Sequence, residues 1–190
     1  MIPNAENKFS EITPEIYGLA DQCIQQGYIP PELYGQYQVN RGLRDLNGNG
    51  VLTGLTEISE IQSSRMVNGE KVSCEGQLFY RGVNIEDLVH GFLADKRFGF
   101  EEAVYLLLFG SLPSREQLDS FIALLANYRS LPTNFVRDII MKAPSADMMN
   151  TLARSVLTMY SYDTNANDIS IPNVLRQCLQ LIALFPLFSV

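Results

Sequence analysis

Helical periodicity dominates the apolar pattern of this chain, and alternation is confined to one short stretch. Thr13 followed by Pro14 reads as an N-cap with proline at the first helical position, and Gly27 with Pro30 and Pro31 closes that helix after about three turns. Residues 34–54 gather Gly35, Gly42, Gly48, Gly50 and Gly54 with Asn47 and Asn49, which suits a connection and places a soft boundary near Asp45. Over residues 56–63, Ile58 and Ile61 stand among acidic and hydroxyl residues, and Asn68-Gly69 is the dipeptide preferred in a two-residue type I′ turn. A small hairpin is predicted there, with residues 77–80 as a further short strand.

From Asn84 onward the period is helical. Asn84 can cap a helix whose apolar positions Ile85, Leu88, Val89 and Phe92 share one face. The next helix starts near Phe100, is apolar from Ala103 to Phe109 and ends at Gly110 and Pro113, so it belongs inside. Ser114 and Gln117 form a capping-box pair ahead of a helix with Leu118, Phe121, Ile122 and Leu125 on one face. A further helix carries Phe135, Val136, Ile139 and Ile140 and stops before Pro144.

Over residues 148–160, Met148, Met149, Leu152, Ala153, Val156, Leu157, Met159 and Tyr160 take one half of the helical circumference. So wide an apolar face fits a core helix of a monomer, and it also fits a subunit interface. The pattern as a whole predicts a mainly α protein with a small β-hairpin before the helices, and it contains no internal repeat.

Composition narrows the function classes. The 190 residues are 46% hydrophobic and 18% charged, which provides a sizeable core and excludes a disordered chain. Asp and Glu number 21 against 14 Lys and Arg, the net charge is -7, and no basic cluster offers a footprint for nucleic acid. A polyphosphate such as a nucleotide or coenzyme A would need Arg or Lys that this sequence scatters. Cys23, Cys74 and Cys178 are odd in number and far apart, which fits a reducing compartment. The N-terminus resembles neither a signal nor a transit peptide, so a cytoplasmic location is expected. Residues 171–190 are interrupted by Asn173, Arg176, Gln177, Gln180 and two prolines, leaving too short an apolar run to span a bilayer.

Candidate chemistry is sparse. Residues 45–50 open like a calcium loop, but the position of the bidentate acid is Thr56, with Glu57 one place late. Gly48, Gly50 and Gly54 miss the dinucleotide spacing by one residue and follow no strand. His90, the single histidine, has Glu86 and Asp87 nearby but also Leu88, Val89 and Phe92, the setting of a packed or surface side chain as much as of an acid/base. No zinc-type ligand spacing, serine-nucleophile elbow or phosphate loop is present.

One ordered series of short segments does point to a family. Residues 78–82, Leu-Phe-Tyr-Arg-Gly, lead into residues 84–88, Asn-Ile-Glu-Asp-Leu, and residues 105–113 read YLLLFGSLP, followed by Leu131-Pro132. Met148-Met149-Asn150, then Tyr160 to Asp163, Arg176 to Cys178 and Phe185-Pro186 continue it. The series, from about Gly50 to Val190, resembles the citrate synthase family and a bacterial branch of it. One departure is Ala146-Asp147-Met148, where many members read His-Pro-Met.

The resemblance implies that residues 46–190 are the N-terminal portion of a large α-helical domain and residues 1–45 a helical extension. It implies a homodimer that packs helices of this region, the 148–160 helix among them, across the two-fold. It also implies a condensation of acetyl-CoA with oxaloacetate and water to citrate and CoA, or of propionyl-CoA to 2-methylcitrate. In the family an aspartate takes the proton, two histidines act on the enol oxygen and the carbonyl, and arginines hold the carboxylates, all in the second half of a longer chain. No position here matches them, so no catalytic, cofactor-binding or metal residue is assigned, and acetyl-CoA is expected only as a substrate of the full-length enzyme. The apolar helix at residues 174–185 is then expected to be covered by sequence beyond Val190. A non-catalytic helical interaction module is the alternative from another class.

Overall fold

The computed structural model describes residues 8–39 and 53–189. The calcium-like stretch at residues 45–50 and the boundary near Asp45 lie outside them. Contacts group the chain into two compact units, residues 23–118 and residues 1–22 with 119–190.

In the unit 23–118, a short helix α2 (Glu32–Gln36) precedes a three-stranded antiparallel sheet of order β1-β2-β3, with β1 Ser59–Val67, β2 Glu70–Tyr80 and β3 Val83–Asn84. Asn68 and Gly69 both have positive φ, 53 and 84°, the turn that the dipeptide predicts. Residues 77–80, expected as a separate strand, are the far end of β2 and pair with the start of β1, Gln62 opposite Gln77 and Ser59 opposite Tyr80. What separates them from the near end is a bulge: Ser64 faces Ser73, so Cys74, Glu75 and Gly76 oppose Ser63 alone. The periodicity breaks there and hides the continuity.

Helix α3 (Ile85–Ala94) starts where Asn84 Oδ1 accepts the Glu86 N–H at 2.9 Å. Helix α4 (Phe100–Phe109) ends on Gly110, at φ 80°. It is less enclosed than its sequence predicts, with Tyr105, Leu106 and Phe109 buried and Phe100 exposed. Gly99, just before it, is buried, and a Cβ there would stand 2.1 Å from a ring carbon of Phe92, so any larger residue would have to displace that ring. Two helices run across the division of the chain, α1 (Pro14–Gln26) and α5 (Arg115–Tyr128). Ser114 and Gln117 cap α5 reciprocally, at 2.8 and 3.2 Å. Its buried stripe includes Leu124 and leaves the expected Ile122 exposed.

In the other unit, the expected helix near residue 135 is a π-helical turn at Val136–Met141. Helix α6 (Met148–Met159) is capped by Asp147, whose carboxylate accepts the N–H groups of Met149 and Asn150. Helix α7 (Ile171–Phe188) follows a loop, and the core gathers Phe135, Met159, Leu184 and Phe188 with Leu152 and Val156 against them. The wide apolar face of α6 is therefore divided. Leu152, Val156 and Met159 pack inward, whereas Met148, Met149, Leu157 and Tyr160 are exposed.

Candidate functional site

Buried polar chemistry collects at the first turns of α7. Asp168 accepts both the N–H and the hydroxyl of Ser170, each at 2.9 Å, which sets the entry to the helix. Asn173, fully buried, donates its amide to the carbonyls of Asn165 and Asp168 at 2.8 and 2.7 Å and so folds the loop back onto α7. Its Oδ1 accepts from Arg176 Nε and Nη2 at 3.1 and 2.8 Å. Nη1 donates to Phe9 O at 2.9 Å and Gln180 Oε1 at 2.8 Å, and Nη2 also donates to Asp163 Oδ2 at 2.7 Å. Those bonds use the whole donor set of a guanidinium.

The Asp163 side chain is 7% exposed and that of Arg176 0%. Burial raises the Asp163 carboxyl, but hydrogen bonds from Arg176, Gln177, Ser10 and the Asn165 N–H outweigh it and hold the group below its ordinary value. The carboxylate accepts from Ser10 Oγ and Asn165 N on one oxygen and from Arg176 and Gln177 on the other. A carboxylate so occupied cannot take a substrate proton without giving up the pair, so the arrangement is architectural. By length and composition α7 would pass for a membrane span. The buried Arg176 network on its face ties it instead into this unit.

Two cavities flank the network. One of about 440 Å³ is lined by Phe9, Tyr128, Leu131, Pro132, Tyr162 and Gln180 among others, and one of about 230 Å³ by Phe9, Met159, Asp163, Gln177, Gln180 and Leu184 among others. Burial pushes the Tyr128 phenol up, so it stays protonated. Its oxygen is shielded from solvent and has no partner among the described residues.

The Tyr80-Arg81-Gly82 turn serves the other unit. Arg81 and Gly82 both have positive φ, 49 and 80°, and the Arg81 N–H donates to Ile58 O at 2.9 Å. Arg81 Nε and Nη2 both reach Leu107 O at 3.2 Å, and Nη1 reaches Gln26 O at 3.2 Å. The cation therefore closes the C-terminal carbonyls of α4 and α1, where the helix dipole favours positive charge.

The residues that sequence reasoning singled out are not brought together. His90 is exposed on α3, with Glu86 and Asp87 also exposed. Cys23 donates to Leu108 O at 3.5 Å, and Cys74 lies on β2. Desolvation pushes the Cys178 thiol up, away from a reactive thiolate. Among the described residues no three His, Cys, Asp or Glu side chains gather as a metal site. The network around Arg176 was missed, although a signal for it exists. Asn173, Arg176 and Gln180 recur at i, i+3 and i+7, a polar stripe within an apolar helix.

The comparisons with known proteins agree on one family. Its profile, described as “Citrate synthase, C-terminal domain”, matches residues 45–190. A 2-methylcitrate synthase 1 of Corynebacterium glutamicum is 33% identical over 126 residues, covering 66% of this chain and 28% of that protein. A citrate synthase of Saccharolobus solfataricus is 32% identical over 109 residues, 57% of this chain and 26% of the relative. One from Haloferax volcanii is 37% identical over 94 residues, 48% and 23% respectively. A mainly helical fold with one small antiparallel sheet, matched over most of its length, places the chain in the citrate synthase family. That family is one of acyltransferase-type enzymes, and the matched stretches span about a quarter of the relatives' length.

Proposed function

We propose that this chain is the N-terminal part of a citrate synthase, an enzyme that condenses acetyl-CoA with oxaloacetate. The acetyl methyl group gives up a proton, the resulting enol carbon bonds to the oxaloacetate carbonyl carbon, and water splits the citryl thioester into citrate and CoA. The observation that carries the family in this reading is the profile match over residues 45–190, and the N-terminal placement rests on the resemblance of the ordered segments alone. In this reading the chain supplies scaffold and is inactive alone, its catalytic groups lying beyond Val190. The exposure of the single His90 and the saturation of the Asp163 carboxylate support that part. Acetyl-CoA and oxaloacetate given to the purified chain should release no thiol, and sustained release with a thiol reagent would sink the claim of inactivity.

A second reading keeps the family and makes the acyl donor propionyl-CoA and the product 2-methylcitrate, the activity named for the Corynebacterium relative. Thiol release by the full-length enzyme with each acyl-CoA separates the two. The protein is further proposed to work in the cytoplasm as a homodimer through α6, supported by the exposure of Met148, Met149, Leu157 and Tyr160. Sedimentation equilibrium should give a dimer mass that Leu157→Lys reduces to that of a monomer, and a monomer at all concentrations before mutation would remove the interface. A non-catalytic interaction module would keep this dimer and show no turnover even in its full-length form.

A further inference from the structure

The 3-10 turn Lys8–Ser10 lies outside the range that the family matches, yet the residues around Arg176 are built to hold it. Phe9 O accepts from Arg176 Nη1 at 2.9 Å and from Gln180 Nε2 at 2.6 Å, and Ser10 O accepts from Asn165 Nδ2 at 3.1 Å. Ser10 Oγ donates to Asp163 Oδ1 at 2.8 Å and accepts the Thr164 N–H at 2.9 Å. The Phe9 side chain packs against the core cluster, and Phe9 is a wall of both cavities. Residues 11–13, between the turn and α1, have no regular structure and can serve as the hinge.

We propose that Lys8–Ser10 is a detachable strap that occupies, in cis, a donor-rich site for an aromatic group bearing a carbonyl oxygen, and that lifting it joins the two cavities into one. The chemistry of the bared site follows from what the strap leaves behind. Arg176 Nη1, Gln180 Nε2, Asn165 Nδ2 and the Thr164 N–H all lose an acceptor, and a donor loses its partner at high cost when buried. Asp163 keeps its bond to Arg176, so the site stays near neutrality and selects a neutral carbonyl over a second carboxylate. The place vacated by Phe9 sits against Met159 and Leu184 and takes an aromatic ring.

Trypsin cleavage of the bond after Lys8, followed by mass spectrometry on the full chain, reads strap opening directly. Ser10→Ala removes the hydroxyl's two hydrogen bonds and should speed that cut about tenfold. The bond after Arg176, inside α7, reports unfolding of the whole unit and should keep its rate. If both bonds speed up together, the strap opens only by global unfolding and the proposal fails. It fails also if the bond after Lys8 is cut in the wild-type chain as fast as in a free peptide. Saturation-transfer NMR with N-acetylphenylalaninamide should show binding to Phe9→Ala and none to the wild-type chain, and equal binding to both, or none to a folded Phe9→Ala, overturns the assigned ligand class. Should Phe9→Ala not fold, the Ser10→Ala cleavage ratio decides.

Discussion

Arg81 and Arg176 solve different problems in different parts of the chain. Arg81, in the unit 23–118, is partly buried, and among the described residues its guanidinium bonds only to backbone carbonyls, those of Leu107 and Gln26. Arg176, in the other unit, is fully buried and fills its donor set with Asp163, Asn173, Gln180 and Phe9 O. A cation that keeps some contact with water can serve as a helix cap with no acid at its side. One taken wholly out of water needs a counter-charge and an acceptor for every N–H, because desolvation of an unpaired ion outweighs any packing it gains.

The largest break in this contrast should come from Arg176→Met, which leaves the Asp163 carboxylate buried without its cation. The expected loss is about 3–5 kcal/mol in urea unfolding. Adding Asp163→Leu should recover much of it, and a double mutant no more stable than Arg176→Met alone would show that the pair does not act as a unit. Acid should act through the same carboxylate. The folded pKa of Asp163 lies below its ordinary value of 3.8, so its contribution is present above about 3.8 and is lost as pH falls through the lower folded value. The urea midpoint of the wild-type chain should therefore drop below that pH more steeply than that of Asp163→Asn.

Arg81→Ala should cost less, about 1–3 kcal/mol, because the carbonyls it caps can regain water. Arg81→Lys should restore only part, since an ammonium lacks the fork that reaches Leu107 O and Gln26 O together. A Lys variant as stable as the wild type by thermal melting would reduce the cap to a matter of charge. Removing the Asn84 cap by Asn84→Ala should cost about 1 kcal/mol, read in the same melts. Smallest of all should be Asp138→Asn. Arg137 and Lys142 hold that carboxyl well below the ordinary range, but the cluster is on the surface, and the urea midpoint should not move measurably.

Local chemistry made much of the fold legible. Thr13 before Pro14, Asn68-Gly69, Asn84, and Ser114 with Gln117 each act within three or four residues, and each forms the structure that its sequence predicts. The misreadings share a cause. The end of β2 looked like a separate strand because the bulge at residues 74–76 breaks a period that only the partner strand reveals. The α7 polar residues looked like interruptions, although Asn173, Arg176 and Gln180 lie on its buried side with Leu179 and Leu184, and Ile171 and Val174 are exposed. Arg176 and Gln180 donate to Phe9 O, 167 and 171 positions away, and no window of helical length contains both ends. The YRG segment was legible as a family mark but not as a cap, since its carbonyl partners come from two other helices.

The bonds between the strap and α7 join residues separated by 167 and 171 positions. During synthesis from the N-terminus, Phe9 leaves the ribosome long before Gln180 is made, so the bonds to Phe9 O must wait until α7 has been made. Contacts of such span come late in folding because the loop they close is costly before its ends meet. A nascent or truncated chain ending before residue 176 would contain the strap and α1 yet leave Phe9 O with neither of its donors. Residues 8–13 would then be an exposed handle for proteases or chaperones until α7 has formed.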